Sequence, residues 1–338
     1  MRVSENVSLR PYNTFGIDAI ARYFASFHSR EQLETLLLDP KWATMPRIIL
    51  GGGSNILLTK DFDGIVLKNE IKGIRSVRED EHHVYVQAGA GENWHQFVQD
   101  CIAKGLGGLE NLSLIPGNVG ASPMQNIGAY GVEIKDTFEQ LEAFHLQDRE
   151  VHVFNKEACE FGYRESVFKH RYKEQFAILH VTYRLSKHPT FNTSYGAIEQ
   201  ELERMGVKEL SIRAISQAVI NIRSSKLPNP AEIGNAGSFF KNPEVTAETY
   251  ESLQLAFPNI VAYPLPNGHF KLAAGWLIEQ AGWKGYRDGD AGVHERQALV
   301  LVNYGRAEGE QIVELSWKIV DSVKEKFGVV LEGEVNIV

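Results

Sequence analysis

Apolar residues fall at helical spacing between Arg30 and Leu38, where Leu33, Leu36 and Leu37 share one side. A short apolar run, Arg47 to Leu50, and another, Ile65 to Leu67, predict strands on either side of Gly51-Gly-Gly-Ser-Asn55. Together these pieces predict a small α/β unit. Val84 to Ala88 alternates like a strand, and Trp94, Phe97, Val98, Cys101 and Ile102 then form a helix stripe that makes Cys101 a core residue. Strand-like runs return at Leu141 to Leu146 and Ile178 to Leu185. The break Lys226-Leu-Pro-Asn-Pro230 reads as a linker. Beyond it the pattern predicts a helix around Lys271 to Gln280, a strand at Ala298 to Asn303, and a long amphipathic helix over Glu308 to Phe327. Ile312, Leu315, Ile319 and Val323 stripe that helix, and Val329 to Val338 reads as a closing strand.

A chain of 338 residues, 43% hydrophobic and 23% charged, has room for two or three domains around sizeable cores. Its net charge of −8 excludes a general nucleic-acid binder, although an anionic ligand still suits a local cluster of cations. No apolar run approaches the roughly 18 residues of a membrane span, and the first residues lack a signal peptide's apolar core. Cys101 and Cys159 suggest no disulfide framework, and the histidines fall into no metal-ligand spacing. The expectation is a cytoplasmic protein without metal.

Two glycine-rich stretches and one serine turn carry the candidate chemistry. In Gly51-Gly-Gly-Ser-Asn55, Gly51, Gly52 and Gly53 let successive backbone N–H groups converge on an anion, and Ser54 and Asn55 add hydrogen bonds. A tight connection between strands would use the same glycines. The stretch Gly105 to Gly131 holds seven glycines in 27 residues. Within it, Ile115-Pro-Gly-Asn-Val-Gly-Ala-Ser-Pro-Met-Gln-Asn-Ile-Gly-Ala-Tyr-Gly131 is long, irregular and polar, and its backbone needs partners that a large cofactor can supply. Gln125 and Asn126 have amides suited to an aromatic heterocycle. In Gly234-Asn-Ala-Gly-Ser-Phe-Phe-Lys-Asn-Pro243, Ser238 sits on a glycine turn beside two phenylalanines, with Lys241 and Asn242 following. That suits proton delivery to a reacting carbon; a buried strand after a glycine turn is the plainer reading.

The paired glycine loops resemble the flavin domain of the vanillyl-alcohol oxidase and p-cresol methylhydroxylase family over about residues 15 to 185. Within that group the chain resembles the UDP-N-acetylenolpyruvoylglucosamine reductase family, in its longer subtype. The markers are Asn13-Thr-Phe-Gly16, Gly51 to Asn55, Ile115-Pro-Gly117 with Gln125 to Gly131, Phe161-Gly-Tyr-Arg-Glu-Ser166, Gly234 to Pro243, and Leu331-Glu-Gly-Glu-Val335. The resemblance implies an α+β protein: FAD-binding subdomains over 1–72 and 73–227, a substrate domain over 228–325, and a terminal strand, 326–338, carrying Glu334. It implies NADPH-dependent reduction, through FAD, of UDP-N-acetylglucosamine enolpyruvate to UDP-N-acetylmuramate for peptidoglycan synthesis. Neither glycine loop contains the His or Cys of covalent flavoproteins, so the expected FAD is non-covalent. A small-molecule substrate and a monomer are expected.

The same resemblance assigns roles. Arg164 corresponds to the arginine gripping the substrate carboxylate, Ser238 to the proton donor, and Glu334 to the acid assisting at the intermediate. Glu332 lies two residues away, on the same face of an extended strand. Pro116, Gly117, Gly120, Ala121, Ser122, Gly128, Gly131 and Val132 join the first loop as flavin contacts, with Tyr163 and Arg223. Tyr195 resembles a loop tyrosine covering the uridine part, while Lys226, Asn242, Tyr263, Lys271 and Gln297 correspond to positions holding diphosphate and nucleotide. A flavin oxidase on the same fold would need a base and leave the Arg164, Ser238 and Glu334 set unexplained. A regulatory relative without catalysis would be expected to lack one of the three.

Overall fold

The structure, a computed structural model, describes residues 2–338. It divides into two compact units, neither of them contiguous. The first comprises 2–7, 21–52 and 62–225 of the described residues; the second comprises 8–20, 53–61 and 226–338.

The first unit holds two sheets. In one, Ile20–Phe27 and Arg47–Leu50 both run parallel to Phe62–Asn69, with Tyr23 and Arg47 each opposite Ile65. Parallel neighbours need a crossover, and the helix Arg30–Leu38 supplies one. Ser29 caps that helix by accepting from Gln32 N, and Leu33, Leu36 and Leu37 are buried as their spacing predicts. The other sheet is antiparallel, with strands in the order Val151–Asn155, Phe138–His145, Phe176–Ser186, His83–Gly89 and Ile74–Glu79. Its central strand carries a bulge between the pairs Glu142–His180 and Ala143–Ile178. The extra residue resets the side-chain alternation. Ile178 and Val181, three positions apart, therefore both enter the larger core, while Ala177 and Leu179 join the core around Phe27 and Leu33. The helix Trp94–Ala103 buries Trp94, Phe97, Val98, Cys101 and Ile102 in the larger core. Burial pushes the Cys101 and Cys159 thiols up to about 12, so both are inert structural residues.

The second unit is built around a sheet in the order Gly234–Asn235, Leu301–Asn303, Ala291–Val293 and Arg287–Asp288. The helix Gly309–Phe327 packs on it with Ile312, Ile319 and Val323 fully buried. A Glu308–Gln311 capping box starts this helix, and Gly328, at φ 68°, ends it. A smaller sheet orders Glu244–Val245, Phe270–Leu272 and Ala262–Pro264. The predicted helix at Lys271 is thus shorter, Ala274–Gln280, because Phe270–Leu272 is a strand. The strand expected over Val329 to Val338 is reduced to Asn336–Ile337, which pairs parallel with Ile56–Leu57. The residues before it are extended but irregular, apart from one bridge between Gly333 and Phe240.

The N-terminal passage of this unit is held by one side chain. The Asn13 amide donates to Leu9 O and Ile17 O and accepts from Ile17 N, closing a compact loop. Thr14 N then donates to Gly53 O, Asn235 N to Thr14 O, and Asn303 Nδ2 to Phe15 O. Gly53 has φ 64°, and a Cβ there would stand 1.9 Å from Tyr12 O. Gly53→Ala is therefore expected to lower stability by more than about 2 kcal/mol, read from denaturant unfolding of the purified chain. An unchanged midpoint would show that this close approach is dispensable.

Candidate active site

In the first unit the two glycine loops meet backbone to backbone. A Cβ on Gly52 would lie 2.7 Å from Gly117 Cα and 2.9 Å from Asn118 Oδ1, so no larger residue fits there. Gly51 lies beside them, its would-be Cβ 3.8 Å from Asn118 Cβ. The second loop is tied down along its length. Gly117 O accepts from Trp94 N, Val119 N donates to Glu92 O, and Gly120 N to Ala90 O. A Cβ on Gly120 would strike Ala90 Cβ at 2.5 Å. Such a close approach of glycine backbone, with the Asn118 side chain beside it, fits the phosphates and edge of a dinucleotide cofactor.

Before that cradle, two helices grip the chain from either side. From Trp94–Ala103, Trp94 Nε1 donates to Leu112 O and His95 Nδ1 accepts from Leu114 N. From Ile212–Lys226, Ser216 Oγ meets Ser113 Oγ at 2.8 Å and Arg223 Nε donates to Leu114 O. Burial lowers the Arg223 pKa, and the charge and hydrogen bond of the Tyr130 phenol oppose this.

Several polar residues read as ligands turn inward. Ser122 is buried, with its N and Oγ donating to Val119 O, its O accepting from Ile127 N, and its Oγ 2.6 Å from the Tyr183 hydroxyl. Asn126, also buried and at φ 45°, donates to Glu133 Oε2 and Gly162 O and accepts from Lys135 N. Gln125 and Ala121, by contrast, reach the surface, Gln125 partly buried and Ala121 exposed. Gly128–Ala129 and Val132–Glu133 pair across Tyr130 and Gly131, whose φ values of 50° and 78° make a two-residue hairpin turn.

Arg164 docks on this hairpin. Its Nη2 donates to Gly128 O at 2.7 Å, and Nη1 lies 4.0 Å from Glu133 Oε1. Arg164 itself has φ 57°, in the turn Gly162 to Glu165, while Tyr163 presents its ring 5.2 Å from the guanidinium. A non-glycine residue in that conformation is strained and is kept only where its surroundings impose it. Tyr195, 44% exposed, leads into the helix Gly196–Arg204 and meets the Tyr130 ring edge-on at 5.5 Å. Asn111, which no motif flagged, donates one amide to both Tyr130 O and Asn192 O and so ties this loop to the hairpin.

In the second unit the Ser238 turn and the far end of the chain form one structure. Gly237 has φ 72° and its N donates to Asn235 Oδ1. Phe239 and Phe240 are buried. Phe239 O accepts from Glu334 N at 2.8 Å, and Lys241 N donates to Glu332 O. Asn55 closes the arrangement: its Nδ2 donates to Glu334 O and its O accepts from Asn336. The two glutamates separate clearly. Glu332 is exposed and bonds Lys241 Nζ at 2.7 Å, whereas Glu334 is half-buried beside the Ser238 turn.

Asn242, Tyr263, Lys271 and Gln297 also gather in this unit. Asn242 Oδ1 accepts from Ala274 N, and Tyr263 faces Lys271 across the small sheet. Gln297 Oε1 accepts from Leu299 N, and a Cβ on Gly275 would lie 3.0 Å from it. Lys226 is exposed at the end of its helix. Among the described residues no cluster of metal-ligating side chains occurs, and no helix is long and apolar enough to cross a membrane.

Known proteins resemble this chain over its whole length. Residues 229–338 match the C-terminal domain of UDP-N-acetylenolpyruvoylglucosamine reductase, and residues 21–153 match an FAD binding domain. A UDP-N-acetylenolpyruvoylglucosamine reductase from Amoebophilus asiaticus is 53% identical over 338 residues, covering 100% of both chains. One from Pseudomonas syringae pv. tomato is 51% identical, covering 100% of this chain and 99% of its own. The crystal structure of UDP-N-acetylenolpyruvylglucosamine reductase from Thermus caldophilus superposes with a TM-score of 0.68 at 27% identity, covering 100% of this chain and 99% of that one.

Asn126→Ala would strand Gly162 O and Lys135 N, at a cost of about 1–3 kcal/mol. Denaturant unfolding should show that loss together with weaker FAD binding. Unchanged unfolding and unchanged affinity would show that this amide does not anchor the loop.

Proposed function

Because the chain belongs to the UDP-N-acetylenolpyruvoylglucosamine reductase family, we propose specific roles for its residues in the NADPH-dependent reduction of UDP-N-acetylglucosamine enolpyruvate, a step of peptidoglycan precursor synthesis. The observation that carries the assignment is the hydrogen bond from Glu334 N to Phe239 O, which joins the Ser238 turn to the acid-bearing segment. Gly51, Gly52 and the Pro116 to Gly120 backbone would hold FAD without a covalent bond, and the cofactor would supply the hydride chemistry between NADPH and the methylene carbon of the enolpyruvyl group. The parallel and antiparallel sheets of the first unit serve as its two subdomains.

Hydride addition at the methylene carbon drives charge onto the carbon beside the carboxylate, and from there into the carboxylate oxygens. Arg164 grips that carboxylate. Its guanidinium keeps its charge and presents a planar fork, and the Gly128 carbonyl aims it. Ser238 gives its hydroxyl proton to the charged carbon, so hydride and proton together saturate the double bond and leave a lactyl ether. The buried rings of Phe239 and Phe240 keep water from this turn. Glu334 assists at the intermediate; its half-buried position, against the exposed and Lys241-paired Glu332, supports choosing it over Glu332. Lys271 and Lys226 meet the diphosphate, Asn242, Tyr263 and Gln297 the nucleotide sugar, and Tyr195 covers the uridine part. The protein acts as a cytoplasmic monomer.

Ser238→Ala separates the two half-reactions. Flavin reduction by NADPH should persist, while reoxidation by the enolpyruvyl substrate slows by about 10²–10⁴-fold in stopped-flow measurements. Equal losses in both halves would remove Ser238 as proton donor. Glu334→Gln should likewise slow reoxidation on the order of 100-fold, while Glu332→Gln stays within about threefold of wild type. The reverse ranking would transfer the role to Glu332.

A further inference from the structure

Leu114 is the oddest backbone position in the first unit. Its φ of 59° lies in the left-handed region, where a branched, bulky side chain is disfavoured and neither glycine nor asparagine is present to ease it. Such a conformation costs about 1–3 kcal/mol and persists only where neighbours over-determine it. Here both polar groups of the residue are held by side chains. The N–H goes to His95 Nδ1 at 2.9 Å, and the carbonyl takes Arg223 Nε at 3.2 Å. The two grips come from different helices, Trp94–Ala103 and Ile212–Lys226, so the peptides on both sides of Leu114 are each fixed by one of them. Leu114 also stands directly before Ile115-Pro116-Gly117, the stretch that meets Gly52.

We propose that His95 is a positioning residue for the flavin: by accepting the Leu114 N–H it holds the left-handed turn that aims Pro116 and Gly117 at the Gly51–Gly52 loop. This rests on the reading of that cradle as the FAD site. The chemistry of the contact constrains the imidazole. An N–H can donate to Nδ1 only when that nitrogen carries no proton, so the ring is neutral with its hydrogen on Nε2. The surroundings agree, since burial and then the Arg223 charge both lower the His95 pKa. Arg223 thereby acts on both sides of Leu114: it binds the carbonyl and disfavours the charged imidazole that would release the N–H. Leu112 and Ser113 are gripped in the same manner by Trp94 and Ser216, which leaves Leu114 as the strained last link before the cradle.

The test is FAD binding itself, measured by flavin fluorescence during titration of the whole chain stripped of flavin. His95→Phe, which keeps a ring but removes the acceptor, should weaken FAD binding about tenfold or more. His95→Asn, whose carbonyl oxygen can replace Nδ1 as acceptor, should stay within about threefold of wild type. The decisive variant is Leu114→Gly in the His95→Phe background. Glycine adopts the left-handed turn without help, so affinity should return most of the way to that of Leu114→Gly alone. A packing role for His95 predicts no such recovery. If His95→Phe does not fold, comparing His95→Asn and His95→Gln with and without Leu114→Gly asks the same question, because glycine should erase any dependence on residue 95. Absence of recovery, or equal weakening by Asn and Phe, overturns the proposal while leaving the FAD site intact. A wild-type chain that binds no FAD overturns the site and the proposal together.

Discussion

The approach of Gly52 to Gly117, where even one added carbon would lie 2.7 Å from a backbone atom, is the contact on which the candidate flavin cradle depends. Bare backbone leaves both loops little freedom to adjust, so each must be shaped by what stands behind it. For the second loop that support is extensive. Ala90, Glu92 and Trp94, where a strand gives way to a helix, supply its backbone partners, and the buried stripe from Trp94 to Ile102 fixes the helix in the larger core. The geometry of the site is thus inherited from packing several residues away.

Strain and polar satisfaction work together in this region. Leu114, Asn126, Tyr130 and Arg164 all take left-handed conformations, and each lies in or against the second loop. The amides and hydroxyls that make the loop polar are largely consumed inside it: Ser122 on Val119 and Tyr183, Asn126 on three partners, Asn111 on two carbonyls. An irregular backbone must have its N–H and C=O groups satisfied, and here the protein does much of that itself. What remains open is chiefly glycine backbone, which suits a large planar cofactor with a charged diphosphate.

Much of this was legible in the order of residues. The helix Arg30–Leu38, the strand Arg47–Leu50, the stripe from Trp94 and the helix ending at Phe327 follow local periodicity, and the structure places them where that periodicity predicts. The Ser238 turn stood out by residue type, Arg164 and Glu334 only through the resemblance to a known family, and the structure joins Glu334 to the Ser238 turn through Phe239. Less legible were features decided by distant partners. Val329 to Val338 looks like a strand, yet most of it bonds piecemeal to the Ser238 turn and to Asn55. Asn13-Thr-Phe-Gly16 is visible as a motif, but its work as the hub between Gly53, Asn235 and Asn303 depends on residues as far as 288 positions away. His95 gave no signal at all, because its partner is a backbone N–H rather than a side chain.

The second unit gathers its chain in three passes, 8–20, 53–61 and 226–338. On a ribosome the early passes emerge first and can pair only with each other, through Thr14 and Gly53. Ile56 and Leu57 must wait for Asn336 and Ile337, and Thr59 for Val338, while the intervening stretch of the first unit is synthesised. Contacts of such sequence separation close late and slowly. The nascent chain therefore spends a long interval with Ile56 and Leu57 lacking their strand partners, so apolar Ile56, Leu57 and Leu58, buried in the finished fold, are the residues most exposed to misassociation before synthesis ends.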